Sequence, residues 1–68
     1  MKNNVKKLRE GRGLTQKELG ERVGVSRQAI NAIETGKFDA SLWLAHDLAC
    51  FFGVTIEALF FFNEEDRK

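Results

Sequence analysis

Between Leu14 and Phe38 the chain reads LTQKELGERVGVSRQAINAIETGKF. No other stretch limits the fold as much. Thr15 is a hydroxyl placed to accept from the free N–H groups of a helical first turn, and Glu18 three residues later completes a capping box. Leu19 and Val23 then fall on one face, with Leu14 just ahead of the cap. Gly24 can adopt positive φ, end this helix and let a second one approach closely. Val25 is placed to plug the corner, and Ser26 is the next cap. The second helix runs from Arg27 to Glu34 with Ile30 and Ile33 inward and Ala29 near the same side. Gly36 supplies the stop. The spacing predicts two short helices and a tight turn over about residues 15–35.

The outward face of the second helix carries Arg27, Gln28 and Asn31, with Ala32 beside them. A bland surface helix would carry Glu and Lys instead. Arginine can pair with guanine O6 and N7, and glutamine or asparagine with adenine N6 and N7. Ala32 is small enough for close approach to base edges and can touch a thymine methyl. The helix, the glycine turn and the second cap together turn this composition into a candidate for reading the major groove.

The run TQKELGERVGVSRQAINAIETGK resembles the helix-turn-helix family of lambdoid phage repressors and Cro proteins, also called the Xre family. The resemblance extends from KKLRE to Leu59-Phe60, and the short stand-alone regulators look most similar. It implies an all-α, five-helix DNA-binding domain of the lambda-repressor type. It also implies phosphate contacts from Gln16, at the opening of the first helix of the motif, and from the loop at Lys37 and Phe38. Ser26 is a further phosphate candidate, and Lys17 a weaker one. Arg9 has two readings. It is a solvated arginine, or, as in the family, half of a partly buried pair with Glu34 that locks two helices together.

At 68 residues the chain forms one domain over residues 1–68, with a modest core. Hydrophobic residues at 43% and charged residues at 31% are globular proportions, and there is no proline. Net charge is only +1, so composition alone does not announce nucleic-acid binding. The distribution says more. Lys2, Lys6, Lys7, Arg9, Arg12 and Lys17 come early, Arg22, Arg27 and Lys37 follow, and Glu64, Glu65 and Asp66 stand near the end before Arg67 and Lys68. A basic front suits phosphate docking; the bland alternative is an ordinary mixed surface.

The rest of the chain reads as support. Asn3 or Asn4 can cap a first helix with Val5 and Leu8 inward, following a frayed or extended Met1–Asn3. The loop after Gly36 is expected to expose backbone N–H groups, with Phe38 as an inward anchor. Ser41, with Asp39 as runner-up, caps a helix placing Leu42, Ala45, Leu48, Ala49 and Phe52 inward. Trp43, Asp47 and Cys50 fall on other faces. His46 and Asp47 are neighbours and are expected to point apart, which makes a poor catalytic pair. Thr55 caps a last short helix. The single cysteine, Cys50, excludes an intrachain disulfide and a cysteine cluster for zinc, and is expected to pack as a small apolar residue.

Half of the six phenylalanines follow Leu59 directly, as Phe60, Phe61 and Phe62. Consecutive residues of an extended segment face opposite ways. A short edge strand or arm is expected near residues 60–64, covered by a second copy and also by the N-terminal residues, with a dimerisation segment over about 56–64 formed by Leu59, Phe60, Phe61 and Phe62.

The functional expectation is a sequence-specific regulator of transcription, a repressor on a palindromic operator, binding double-stranded DNA as a homodimer. An antitoxin or protein-interaction module on the same fold is the alternative. No enzyme, cofactor, metal, membrane span, signal segment or small-molecule effector is expected, and the location is expected to be cytoplasmic.

Overall fold

Four Ser and Thr hydroxyls start four of the helices. In this computed structural model, which describes residues 1–66, α1 spans Val5–Gly11, α2 Gln16–Val23, α3 Arg27–Glu34, α4 Leu42–Phe52 and α5 Ile56–Leu59. Thr15, Ser26, Ser41 and Thr55 each accept a hydrogen bond from the backbone N–H three residues on. At α2 the box is complete, because Glu18 Oε1 accepts from Thr15 N–H at 2.8 Å. Those bonds from Thr15 hold the Glu18 carboxyl below its ordinary value. At α1 the cap is different: Asn3 Oδ1, not Asn4, accepts from Val5 N–H at 3.1 Å.

The helix ends follow one pattern too. At Gly24 and Gly36 the backbone enters the left-handed region, at φ 79° and 76°. The next residue then donates back: Val25 N–H to Gly20 at 2.9 Å and Lys37 N–H to Ala32 at 2.9 Å. Side chains with a Cβ avoid this conformation, so glycine ends the helix where the hydrogen bonds need it.

Every helix contributes at least one fully buried aliphatic side chain: Val5, Leu19, Ile30 with Ile33, Leu48 and Leu59. Each contributes about 1.5–3 kcal/mol through removal from water. Ala45, Ala49, Phe52 and Phe60 complete the core. Leu42, expected inward, is 78% exposed, because it is the first residue after the cap and lies beyond the rim that Ala45 closes.

The expected C-terminal strand or arm does not form: among the described residues there is only an isolated antiparallel bridge between Asn3 and Phe60. Phe60 turns into the core instead of continuing an edge, and a short 3-10 turn, Glu64–Asp66, follows. Of the two readings of the N-terminus, frayed or extended, the same pairing gives the extended one. Asn4 N–H donates to Leu59 at 2.8 Å, and Phe61 N–H to Lys2 at 2.9 Å. Asn3 Nδ2 donates to the Ile33 carbonyl at 2.9 Å. The basic pair Arg67 and Lys68 lies outside the described residues. Among the described residues no helix is long and apolar enough to cross a membrane.

Gly20 marks the close approach that the helix pair requires. A Cβ there would stand 2.5 Å from the Val25 carbonyl oxygen and 3.3 Å from Ser26 backbone. The obstacle is main chain and cannot swing away. Gly20→Ala is therefore expected to destabilise the domain by about 1–3 kcal/mol of overpacking, offset in part by alanine's better helix propensity. Gly11→Ala meets nothing within 4 Å and is expected to be neutral or stabilising. Urea denaturation of the two variants checks this contrast in sign.

Candidate nucleic-acid interface

The rotation of α3 about its axis decides what it displays. Ile30 and Ile33 are buried to 0% and 1% exposure, so the opposite side of an eight-residue helix must face out. Arg27, Gln28 and Asn31 are all exposed there, and Ala29 and Ala32 are half-buried at the edges. Arg27, Gln28 and Asn31 meet Gln16 around an open hollow of about 320 Å³. Arg27 and Gln28 occupy the first turn of α3, where the unpaired N–H groups give the helix its positive end. The surface thus offers planar hydrogen-bonding groups at a helix N-terminus. That chemistry fits base edges and anionic backbone oxygens.

A buried ion pair holds this helix at its angle. Arg9, in the last turn of α1, is only 8% exposed. Its Nε donates to Glu34 Oε2 at 2.7 Å and its Nη2 to Glu34 Oε1 at 3.2 Å, a bidentate grip. Its Nη1 donates to the Leu14 carbonyl at 2.8 Å. The Glu34 carboxylate raises the Arg9 guanidinium above its ordinary pKa. Of the two readings of Arg9, the geometry is that of the pair. Gln16 joins it, donating from Nε2 to Glu34 Oε1 at 2.9 Å. An amide carries two N–H donors and an acceptor oxygen, so Gln16 still has groups to give outward. It stands between the buried brace and the exposed face.

Ser26 is exposed, and its Oγ accepts from Ala29 N–H at 3.1 Å. That leaves its O–H able to donate. Lys17 and Lys37 are exposed. The loop after α3 departs from expectation. Gly36 N–H donates to Ile33 at 3.1 Å and Lys37 N–H to Ala32 at 2.9 Å. Phe38 N–H points at the same Ala32 oxygen at a longer 3.5 Å. Closing the helix at Gly36 turns these donors back onto α3, so the loop does not present a row of free N–H groups. The loop presents the Lys37 ammonium and the Asp39 carboxylate, the latter 3.3 Å from the N-terminal ammonium. Phe38 is 48% exposed and is not an inward anchor.

Of the aromatic segment, Leu59 is fully buried and Phe60 is 4% exposed, both inside their own subunit. Phe61 and Phe62 are exposed at 45% and 66%. The alternation holds locally: Phe60 and Phe62 border one hollow, and Phe61 another.

Arg12 has a role that its sequence context did not reveal. Its guanidinium donates to the Phe51 carbonyl at 3.1 Å and the Phe52 carbonyl at 3.0 Å, and lies 5.3 Å and 5.4 Å from the two ring centres. It caps the negative end of α4 and stacks on its last aromatics. Its partners lie 39 and 40 residues away, so no local signal announces it.

A helix-turn-helix family model matches residues 5–59. An uncharacterized HTH-type transcriptional regulator of Methanocaldococcus jannaschii is 50% identical over 66 residues, covering 97% of this chain and 100% of that one. The HTH-type regulator YgzD of Bacillus subtilis is 46% identical over 66 residues, with the same coverage of 97% and 100%. Among solved structures, Bacillus thuringiensis PlcR, crystallised with the peptide PapR7 and DNA, superposes with a TM-score of 0.74 at 27% identity. The match takes in 94% of this chain and 24% of that one.

Removing one half of the brace leaves the other charge buried. Glu34 is 2% exposed at its side chain, so Arg9→Ala is expected to cost about 3–5 kcal/mol. An Arg9→Met, Glu34→Leu double variant is expected to be more stable than either single truncation. Chemical denaturation of the cycle measures this; an Arg9→Ala cost below about 1 kcal/mol would show that the pair contributes little.

Proposed function

Because the chain belongs to the helix-turn-helix transcriptional regulators of the Xre/Cro superfamily, we propose that it binds double-stranded DNA sequence-specifically through α3. We propose further that it acts as a homodimeric repressor on a palindromic operator. The observation that carries the reading is the exposed set Arg27, Gln28 and Asn31, held outward by the buried Ile30 and Ile33.

In this mechanism Arg27, Gln28 and Asn31 read base edges, and Ala32 permits close approach. Gln16, Lys17, Ser26 and Lys37 hold register on phosphates; the Phe38 N–H, turned back toward Ala32, is not part of this set. Two such helices on a dimer enter successive major grooves about 34–36 Å apart. Exposed Phe61 and Phe62, with Leu42 and Trp43 also exposed, are apolar surface that a second copy would cover. Bound over a promoter, the dimer excludes polymerase. The role is binding and not catalysis. DNA in the solved complex of PlcR supports the reading by likeness. The exposed aromatics equally support the second reading, a module that also engages a protein partner such as a toxin.

Selection of bound DNA from a random pool, followed by footprinting, is expected to return a two-fold symmetric site; a pool with no preferred sequence would overturn the proposal. Gln28→Ala or Arg27→Ala is expected to lose about 1–3 kcal/mol of discrimination at particular base pairs. Lys37→Ala should weaken all sequences alike and flatten the salt dependence. If both kinds of variant weakened every DNA equally, the assignment of roles would fail. Sedimentation at rising protein concentration tests assembly. A dimer is expected, weakened by Phe62→Ser, whereas a strict monomer at micromolar concentration would count against a covered aromatic face.

A further inference from the structure

The outer face of α4 holds a second constellation, apart from the α3 surface. His46 and Cys50 are four residues apart and share one side of the helix. His46 Nε2 lies 3.6 Å from Cys50 Sγ. On the other edge of the ring, His46 Nδ1 lies 3.3 Å from Asp47 Oδ1. The two neighbours therefore touch, against the expectation that they point apart. Cys50 is also exposed and not packed as an apolar residue. The Trp43 ring stands edge-on to the imidazole, with centres 5.8 Å apart.

We propose that His46 and Cys50 form a two-ligand site for a divalent cation that favours nitrogen and sulfur, with zinc as the type. The distance is the first reason. Zn–S of about 2.3 Å and Zn–N of about 2.0–2.1 Å, opened to a tetrahedral angle, set the two donor atoms about 3.5–3.6 Å apart. The two atoms here already stand at that separation. The imidazole orientation is the second. A ring that gives its Nδ1 proton to a carboxylate carries its lone pair on Nε2, and metal-binding histidines are oriented this way. Asp47 is placed to do that, and Nε2 is the atom that faces the sulfur. Exposure is the third: side chains 55% and 52% exposed at His46 and Asp47 leave a hydrated cation a path in. No group of three His, Cys, Asp or Glu suited to a metal exists among the described residues, so one chain supplies half of a tetrahedral set. Solvent or the same pair of a second copy fills the other half. The Cys50 thiol gives up its proton on binding.

Cobalt(II) reports on such a site directly. Titrated into the full, reduced, metal-free chain, it is expected to produce a thiolate-to-cobalt absorption band in the near ultraviolet. It should also quench the emission of Trp43, the one tryptophan. Zinc should reverse both signals. Cys50→Ser should abolish the band, His46→Gln should weaken binding at least tenfold, and Asp47→Asn should weaken it by about 10–100-fold. All three side chains are exposed, so the variants should keep the wild-type circular dichroism. Saturation at one cation per chain identifies solvent as the completing ligand, and one per two chains identifies a second copy; either accords with the proposal. Absence of band and quenching up to millimolar cobalt would overturn it, as would a band that His46→Gln leaves unchanged.

Discussion

Arg9 carries a guanidinium into the interior of a small domain, where a charge is stable only with its hydrogen bonds met. Glu34 meets two of them, and the Leu14 carbonyl a third. These partners come from the end of α3 and from the link into α2, so the grip fixes three elements together. Gln16 adds a further bond to the same carboxylate from the opening of α2. A helix of eight residues has little stability of its own. The brace helps hold its angle, and the burial of Ile30 and Ile33 fixes the face it shows to solvent.

Around the brace, hydroxyls start α2 to α5, and left-handed glycines close α2, α3 and α4. Each cap satisfies donors or acceptors that a short helix would otherwise leave open. At Gly20, α2 and the following turn approach to a distance that no side chain could share.

Long-range bonds tie other parts of the molecule. Arg12 closes the end of α4, and the N-terminal residues bond to the chain at Leu59–Phe61. This tie brings the two ends of the fold together and draws Phe60 inside. It leaves Phe61 and Phe62 out; Phe62 shares a hollow with Leu42 of the first turn of α4, where Trp43 is exposed too. The result is a domain whose exposed polar set lies on α3, while exposed apolar side chains lie in the first turn of α4 and after α5.

Much of this was legible in the residues themselves. The caps at Thr15, Ser26, Ser41 and Thr55, the glycine stops, and the inward spacing of Ile30 and Ile33 are local, set by hydrogen bonds within a turn and by the helical period. The outward position of Arg27, Gln28 and Asn31 follows from the same period. Other features depend on parts of the chain that meet only after folding. Asn3 finds Ile33 thirty residues on, and Arg12 finds two carbonyls at the end of α4. An apolar run such as Leu59–Phe62 states that burial is needed but not which member is buried. Likewise a serial list of His46, Asp47 and Cys50 does not say that one ring will touch both neighbours. Local periodicity chose the helices and their faces, because their hydrogen bonds close within a few residues; tertiary packing chose the long-range partners, because those bonds exist only once the chain has brought distant groups within reach.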